Sequence, residues 1–234
     1  MTTIAAIVRG DRSIFPPYLY EAYRSTIRRA PAMPLVDVPM TLSELTGPGP
    51  VISAVTPEDA DLTRNAGTGG EAIGQRIIVT GRVLDAHGAP VPHTLVEVWQ
   101  ANAAGRYIHR SDQWPGPLDP NFLGIGRCRT DAEGVYRFLT VRPGAYPWKN
   151  HPNAWRPAHI HFSLFGPTWT TRLITQMYFA DDPLFALDPI FNAVPAEAAQ
   201  RLIATYAHDL TEPEWALGWR WDIVLGGSAA TPFE

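Results

Sequence analysis

After residue 75, apolar and polar positions alternate in several short stretches that are separated by turn residues. A period of two residues is typical of half-buried β-strands, and clusters of Gly, Pro, Asp and Asn between such stretches mark turns. This pattern predicts three strand pairs. The first is a hairpin of 76–85 with 93–101, and the second is a hairpin of 126–130 with 135–141. The third pair is formed by 159–166 and 170–179. The stretch 220–225 is predicted to close the sheet.

Helix signals are few in the first part of the chain. The segment 15–31 is predicted to hold a short helix after Pro17. Thr56, Pro57 and Asp59 form the pattern of a helix N-terminus, with a capping side chain, a proline in the first turn and a carboxylate three residues after the cap. We therefore expect a second short helix that begins after Thr56.

One amphipathic helix is predicted near the C-terminus. It covers 195–210 and is opened by Pro195, which suits the first turn of a helix. At a helical period, Leu202, Ile203 and Tyr206 fall on one face of this helix.

Many short strands and few helices predict an all-β fold. We expect a β-sandwich of mixed short strands with long ordered loops, an irregular N-terminal arm and one or two short helices. The stretch 46–50, rich in proline and glycine, ends the irregular region. The chain is predicted to be one structural domain, in which 1–75 form an arm that packs on the core and 76–234 form the sandwich.

Composition and charge narrow the classes of function. Hydrophobic residues make up 45% of the 234 residues and charged residues 18%, a globular composition. The net charge is -4, and the charge pattern favours neither nucleic acid nor an anionic membrane as a partner. No stretch approaches the roughly 20 apolar residues of a membrane span, and the single cysteine, Cys128, forms no intrachain disulfide. We therefore expect a cytoplasmic protein.

Two histidines with one residue between them, His159 and His161, begin the predicted strand that follows the loop 142–155. Residues i and i+2 of a strand face the same side, so both imidazoles point to one place. Imidazole binds zinc, copper, iron and nickel, although two core histidines with satisfied hydrogen bonds have the same pattern. Arg156 nearby and the aromatic-rich loop favour a functional site.

The residues alone leave further metal ligands open. Cysteine, carboxylates or histidine would be usual, but Cys128 has no second cysteine and His151 lies in a loop of unknown direction. A divalent-metal site of cupin type that uses the histidine pair alone is also compatible with this pattern.

Three motifs around the histidine pair resemble the iron signature of intradiol ring-cleaving dioxygenases. They are GRY at 105–107, AYPW at 145–148 and WRPAHIHF at 155–162. The resemblance extends through GRVLDAHGAPVPHTLVEVWQANAAGRY, LDPNFLGIGRCRTDAEGVYRF and LITQMYFADDPL, and it includes the arm PPYLYEAYRSTIRRAP and the ending WDIVL. The resemblance therefore covers nearly the whole chain. Some members of this family are built from α and β chains, and this chain resembles their β chain.

The resemblance implies one nonheme Fe(III) ion per chain, bound by Tyr107, Tyr146, His159 and His161. Tyr146 and His161 would be axial, whereas Tyr107 and His159 would be equatorial beside a hydroxide. The α type lacks a working ligand set, so the presence of all four residues implies the iron-bearing chain. Phenolate oxygens are hard ligands that favour Fe(III), and a cation lowers the pKa of a phenol. Without the resemblance, each tyrosine would be interpreted as a packed aromatic residue.

Further positions take catalytic and substrate-binding roles from the resemblance. Substrate would displace Tyr146, Arg156 would stabilise negative charge that develops on the substrate, and Gln176 would lie beside Arg156. Without the family, Arg156 is an ordinary surface ion pair and Gln176 is a polar strand residue in need of a partner. The positions that match the substrate pocket are Tyr23, Trp99, Trp148 and Ile190.

The implied activity is the opening of the protocatechuate ring by O2 to give 3-carboxy-cis,cis-muconate, with the metal as template and Lewis acid. The same chemistry on catechol or hydroxyquinol is an alternative, and loop differences around 110–117 and 184–192 would alter substrate preference. However, relatives with those substrates usually carry a helical N-terminal dimerisation region, whereas this chain has a proline-rich arm. A non-catalytic β-sandwich that supports an active partner is a further alternative.

The resemblance also implies a partner. We expect an α chain of the same family, with the active site at the α/β boundary and a high-order oligomer of both chains. The arm 1–75 would then pack on the partner as well as on the core, and 76–234 would form the catalytic domain.

Overall fold

The computed structural model describes residues 12–36, 54–166 and 172–233. The stretch 46–50, predicted to end the irregular region, lies outside these ranges, as do residues 170–171 of a predicted strand. The strands are β1 Arg76–Leu84, β2 Leu95–Trp99, β3 Ile125–Arg129, β4 Val135–Val141, β5 Tyr146–Pro147, β6 Trp155–Arg156, β7 His159–Phe165, β8 Arg172–Phe179, β9 Ile203–Tyr206, β10 Leu217–Arg220 and β11 Ile223–Val224. The α-helices are α1 Ser25–Arg29 and α2 Ala196–Ala199, and 3-10 helices cover Arg12–Ile14, Pro57–Ala60, Phe185–Leu187, Phe191–Ala193, Gln200–Leu202 and His208–Leu210.

Most strands belong to one mixed sheet. Its order is β11-β1-β10-β9-β8-β7-β2-β3. Strand β4 stands outside this order and pairs antiparallel with β1. The short strands β5 and β6 form a separate two-stranded ribbon. Strands dominate and the helices are short, so the prediction of an all-β sandwich is confirmed.

The core lies between the β1–β4 part of the sheet and the β7–β8 part. The rings of Tyr136 and Phe138 on β4 contact Phe162 on β7, with centroid distances of 5.5 Å and 6.3 Å. Val79 of β1 and Val96 of β2 belong to the same apolar cluster. All seven residues of β7 are buried, including its polar residues His159, His161 and Ser163.

Two predicted strand pairings are wrong. β1 was expected to pair with β2, but it pairs with β4, β10 and β11. β3 was expected to pair with β4, but it pairs with β2, which also pairs with β7. The predicted turns do form, since the Asp85 carboxylate accepts the N–H groups of His87 and Ala89, and Asp131 accepts those of Glu133 and Val135. These turns lead the chain between the two parts of the sheet. Alternation specifies which face of a strand is buried but not which strand is its neighbour.

The third predicted pair is confirmed, whereas the predicted closing strand 220–225 is divided between the end of β10 at Arg220 and the short strand β11. β7 and β8 are antiparallel, with 159–165 opposite 172–178. β11 lies at the end of the sheet, parallel to β1.

The predicted helix 195–210 is wrong beyond its first turns. Helix α2 follows Pro195 and leads through a 3-10 turn into β9, which pairs with β8 and β10. The β-branched and aromatic residues of ATY suit a strand, and β9 fills the place between two other strands. Leu202 is buried whereas Tyr206 is 49% exposed, so the two do not share one buried face.

The short N-terminal helices agree with prediction. α1 lies after Pro17, and a 3-10 helix follows Thr56. Thr56 and Asp59 form the reciprocal capping box, and Pro57 occupies the first turn. Leu62 just after this helix is fully buried in the core, and the domain boundary at residue 75 stays a prediction.

Within the described ranges, none of the helices has the length and apolar character needed to cross a lipid bilayer.

Gly81 is a position where β1 tolerates no side chain. A Cβ there would overlap the carbonyl oxygen of Trp221, whose N–H donates to the Thr80 carbonyl at 2.9 Å. We expect Gly81→Ala to lower the free energy of unfolding by about 1–3 kcal/mol or more, as overpacking forces the strand away from this contact. Gly226→Ala is the control, because its Cβ would meet Ala86 at an ordinary 3.5 Å. Urea unfolding measures both, and equal stability of the two variants would contradict the close packing at Gly81.

Candidate active site

Strand register gathers five of the relevant side chains. His159 lies opposite Tyr178, and His161 lies opposite Gln176, across the β7–β8 pair. On the other side of β7, His161 lies opposite Trp99 of β2. Directly opposite residues of antiparallel strands face the same side of the sheet. The alternation of β7 and the pairing of its neighbours therefore place these side chains on one surface.

The β5–β6 ribbon adds two more side chains to this surface. Tyr146 on β5 lies opposite Arg156 on β6. Two residues, Pro157 and Ala158, connect β6 to His159, so the ribbon is tied closely to the start of β7. A residue before proline favours an extended backbone, which suits Arg156 in a strand.

His159 is oriented by its own loop. Its Nδ1 lies 2.6 Å from the carbonyl oxygen of Pro157, which can only accept, so Nδ1 carries the proton. Nε2 then presents a lone pair, 3.4 Å from the hydroxyl oxygen of Tyr146. Burial, followed by the charges of Arg156 and His161, lowers the pKa of His159 well below its ordinary value. The neutral imidazole that results is the form that binds a metal.

The four candidate ligands form one continuous cluster of rings. The ring centroids of His159 and His161 are 4.9 Å apart, and their planes meet at 78°. The Tyr146 ring lies 5.6 Å from the His159 ring and 5.6 Å from the Tyr107 ring. His161 is stacked on Trp99 at 4.7 Å with an interplanar angle of 2°. The stack fixes the plane of one imidazole and the Pro157 hydrogen bond fixes the other.

The donors of this cluster fit a ferric ion. Two imidazoles and two tyrosine hydroxyl groups offer nitrogen and phenolate oxygen, a hard and borderline set that suits iron. Across the part of the chain that the structure describes, no group of three or more His, Cys, Asp or Glu side chains is placed to hold a metal ion. His151, the loop histidine considered above as a further ligand, has its Nδ1 2.7 Å from the carbonyl oxygen of Pro152.

Arg156 is buried at the centre of a polar network. Its Nε donates to Asp188 at 3.0 Å, and its terminal nitrogen donates to the Tyr178 hydroxyl at 3.1 Å and to the Gln176 side-chain oxygen. Burial alone would lower the pKa of the guanidinium, but Tyr178, Asp188 and Tyr146 outweigh it and raise that pKa well above its ordinary value. Arg156 thus stays charged inside the protein, and it does not form the surface ion pair that its sequence alone suggests.

Sequence reasoning did not find Asp188 and Tyr178. Asp188 is fully buried in the loop after β8, and Tyr178 bridges Arg156, Gln176 and Asp188 with its hydroxyl group. A single carboxylate in the apolar stretch FALDPIF was a signal, because a buried charge needs a partner. The position of Tyr178 two residues after Gln176 on the same strand was another.

Three of the four substrate-pocket candidates border cavities. Tyr23 and Ile190 line a cavity of about 190 Å³ together with Gln176. Trp148 lines a more open cleft of about 500 Å³. Tyr107 and Tyr146 also form walls of this cleft. The rings of Tyr23 and Trp148 are 5.1 Å apart, so the arm meets the loop that carries Tyr146. Trp99 contacts His161, and it does not line either cavity.

Comparison with known proteins places these residues in a wider context. A family model described as "Dioxygenase" matches residues 47–227, and another, described as "Protocatechuate 3,4-dioxygenase beta subunit N terminal", matches residues 8–41. The chain is 58% identical over 219 residues to the protocatechuate 3,4-dioxygenase beta chain of Burkholderia cepacia, covering 94% of this chain and 93% of the relative. It is 30% identical over 208 residues to the protocatechuate 3,4-dioxygenase alpha chain of Pseudomonas putida, covering 86% and 98%.

A solved structure has a related fold. The 3-chlorocatechol 1,2-dioxygenase of Rhodococcus opacus 1CP matches with a TM-score of 0.55 and 25% sequence identity. The match covers 73% of this chain and 65% of that chain. The fold described above is therefore similar to that of a chlorocatechol dioxygenase.

Cys128, the cysteine that sequence reasoning weighed as a ligand, is buried in the apolar core, and burial raises the pKa of its thiol to about 12. We expect the folded protein to resist thiol reagents near neutral pH, because the thiolate is the reactive form. Because burial favours the neutral thiol, the pKa of Cys128 is higher in the folded than in the unfolded chain. Its contribution to the free energy of unfolding is therefore fully present below about pH 9 and is lost as the pH rises towards about 12. Labelling with a chromogenic disulfide before and after urea unfolding measures the reactivity of the thiol. Rapid labelling of the folded chain would contradict the expected resistance.

Proposed function

This chain belongs to the intradiol ring-cleavage dioxygenase family, and we propose that it opens the ring of protocatechuate with O2 between the two hydroxyl-bearing carbons to give 3-carboxy-cis,cis-muconate. The observation that carries this proposal is the cluster of Tyr107, Tyr146, His159 and His161 beside a cleft. The choice of protocatechuate follows the relative that is 58% identical over nearly the whole chain.

We propose that the four clustered side chains hold one Fe(III) ion per chain. When bound there, the ion would supply a template and a Lewis acid for the opening of a catechol ring by O2. Support comes from the donor set and from the orientation of His159, whose Nε2 faces the Tyr146 hydroxyl while Nδ1 is engaged by Pro157. A hydrogen bond to the second ring nitrogen is the usual way in which proteins orient a histidine ligand.

The chain's own residues then carry the proton and charge chemistry. The phenolate oxygen of Tyr146 accepts a proton from a catechol hydroxyl group, so the site contains its own base. Arg156 lies opposite Tyr146 in the ribbon and presents a fixed positive charge to the negative charge that develops on the substrate. Gln176 accepts a hydrogen bond from Arg156 and thereby limits how the guanidinium turns.

The pocket residues have a division of roles in this proposal. Trp148 lies at the cleft beside Tyr146, where a planar ring would enter. Tyr23 and Ile190 border the neighbouring cavity, and in this proposal they would contact the substrate from the arm and from the loop after β8. Trp99 supports the plane of His161 from behind.

We propose that the arm 1–75 packs on an α-type chain, and that both chains form a high-order oligomer with the active site at their boundary. Large apolar side chains are exposed along the described part of the arm, including Ile27, Met33 and Val36, the last at 85%. A run of exposed apolar side chains marks a surface that another chain covers. An α chain occurs among the relatives of this chain at 30% identity.

Substrate and iron content test the function directly. We expect the chain, purified with its α-type partner, to contain iron, to be reddish from phenolate-to-Fe(III) charge transfer, and to consume O2 fastest with protocatechuate. Catechol and hydroxyquinol are the matched comparison substrates, and product identification distinguishes ring opening from other oxidation. Faster turnover of either comparison substrate would overturn the substrate assignment. A colourless preparation that iron does not reconstitute would favour a supporting role.

The tyrosine pair separates this site from one that uses the histidines alone. We expect Tyr107→Phe and Tyr146→Phe each to weaken or shift the visible charge-transfer band. Tyr146→Phe should also lower kcat by about a hundredfold or more, because a base contributes on that order. Tyr206→Phe is the control, since Tyr206 lies half exposed on β9. An unchanged spectrum in both site variants, with iron still bound, would favour a site made by the histidine pair only.

A further inference from the structure

Asp188 is fully buried, and each oxygen of its carboxylate has a partner. Oδ2 accepts hydrogen bonds from Arg156 Nε at 3.0 Å and from the Tyr178 hydroxyl at 3.2 Å. Oδ1 accepts the backbone N–H of Ile190 at 2.9 Å. One side chain therefore connects the guanidinium to the backbone of a residue that lines a cavity.

The loop that carries Asp188 is itself tightly held. The side-chain amide of Asn192 donates to the Asp188 carbonyl at 2.9 Å and to the Phe185 carbonyl at 2.8 Å. The rings of Phe185 and Phe191 stack at 4.4 Å, and both contact the Tyr178 ring. Because the loop is fixed by these contacts, the carboxylate has a defined position from which to orient Arg156.

The charges also depend on each other. The side chains of Arg156 and Asp188 are 4% and 0% exposed, so neither charge is solvated by bulk water. Removal of one partner from a buried ion pair leaves an uncompensated charge, which is strongly destabilising. Gln176 and Tyr178 are neutral hydrogen-bond partners of Arg156, and neither replaces a negative charge.

We propose that Asp188 is a positioning residue that fixes the orientation of Arg156 and ties it to the cavity wall at Ile190. This inference rests on the proposed function, in which Arg156 acts on the substrate. Asp188 acts through Arg156 and need not touch the substrate.

Asp188→Asn is the direct test, because asparagine keeps the size of the side chain. Its amide cannot accept hydrogen bonds on both sides as the carboxylate does, since one end is now a donor. We expect kcat on protocatechuate to fall by about ten- to a hundredfold, the order that a misplaced group costs. KM should change little, because the lost interaction matters mainly in the transition state. Iron content and the visible band should match those of the wild-type protein.

Asp209→Asn is the matched control. Asp209 accepts from Arg220 at 2.7 Å in an ion pair of the same composition, but both side chains are exposed. This variant should keep wild-type kcat and KM. If Asp188→Asn also keeps wild-type kcat, the proposal is overturned.

A double-mutant cycle with Arg156→Met tests whether Asp188 acts through Arg156. We expect Asp188→Asn to lower Tm by roughly 6–20 °C in the wild-type background. In the Arg156→Met background it should raise Tm, because it removes an uncompensated negative charge, and it should have no further effect on kcat. If Asp188→Asn alone does not fold, recovery of folding in the double variant supports the coupling. Additive losses, or no recovery in the double variant, would overturn it.

The two proposals can fail separately. The Tm cycle requires neither iron nor substrate, so it reports on the Arg156–Asp188 coupling even if the wild-type protein does not oxidise protocatechuate. Conversely, an active wild-type enzyme with an Asp188→Asn variant of equal kcat leaves the proposed function intact and overturns the positioning role.

Discussion

The buried strand β7 is the constraint on which the candidate site depends. It is hydrogen-bonded to β2 on one side and to β8 on the other, and all its residues are buried. A shift of one residue in register would turn His159 and His161 to the opposite face and would break their alignment with Tyr178 and Gln176. The apolar residues between and after the histidines oppose such a shift, because Ile160 and Phe162 would lose their places in the core. The packing that stabilises the sandwich therefore also holds the imidazoles in position.

A site at the end of a buried strand must satisfy its polar groups inside the protein. A buried polar group without a partner is costly, and a buried charge is more so. Arg156 meets this requirement through Asp188, Gln176 and Tyr178, and His159 does so through the Pro157 carbonyl. Since these three partners of Arg156 belong to the same chain, the guanidinium is positioned before any substrate arrives. Such preorganisation is what electrostatic stabilisation of a transition state requires.

Local patterns in the sequence predicted those parts of the fold and site that depend on neighbouring residues. The alternation of β7 predicted that His159 and His161 share a face, and Thr56 with Asp59 predicted a helix start. Long-range pairing escaped the same reasoning: β1 pairs with strands far along the chain, and β9 forms because a place between β8 and β10 is available to it. Asp188 lies 32 residues from Arg156 in the sequence, and no local period connects them. Tyr107 and Tyr146 were candidates only through the family resemblance, since isolated tyrosines usually pack as aromatics.

One positive charge influences the candidate ligands and the substrate in the same direction. Next to burial, the Arg156 guanidinium is the strongest influence that lowers the pKa of His159, so it favours the neutral imidazole that a metal requires. Tyr146 is among the groups that in turn raise the pKa of Arg156, so the guanidinium stays charged beside this candidate ligand. A catechol that loses its protons here would face the same field, because an opposite charge nearby favours the ionised form. The neutral imidazole of His159 and an ionised substrate are thus both favoured by one buried cation. That cation is held in the protein by the carboxylate of Asp188, in a loop that the sequence places far from the candidate metal ligands.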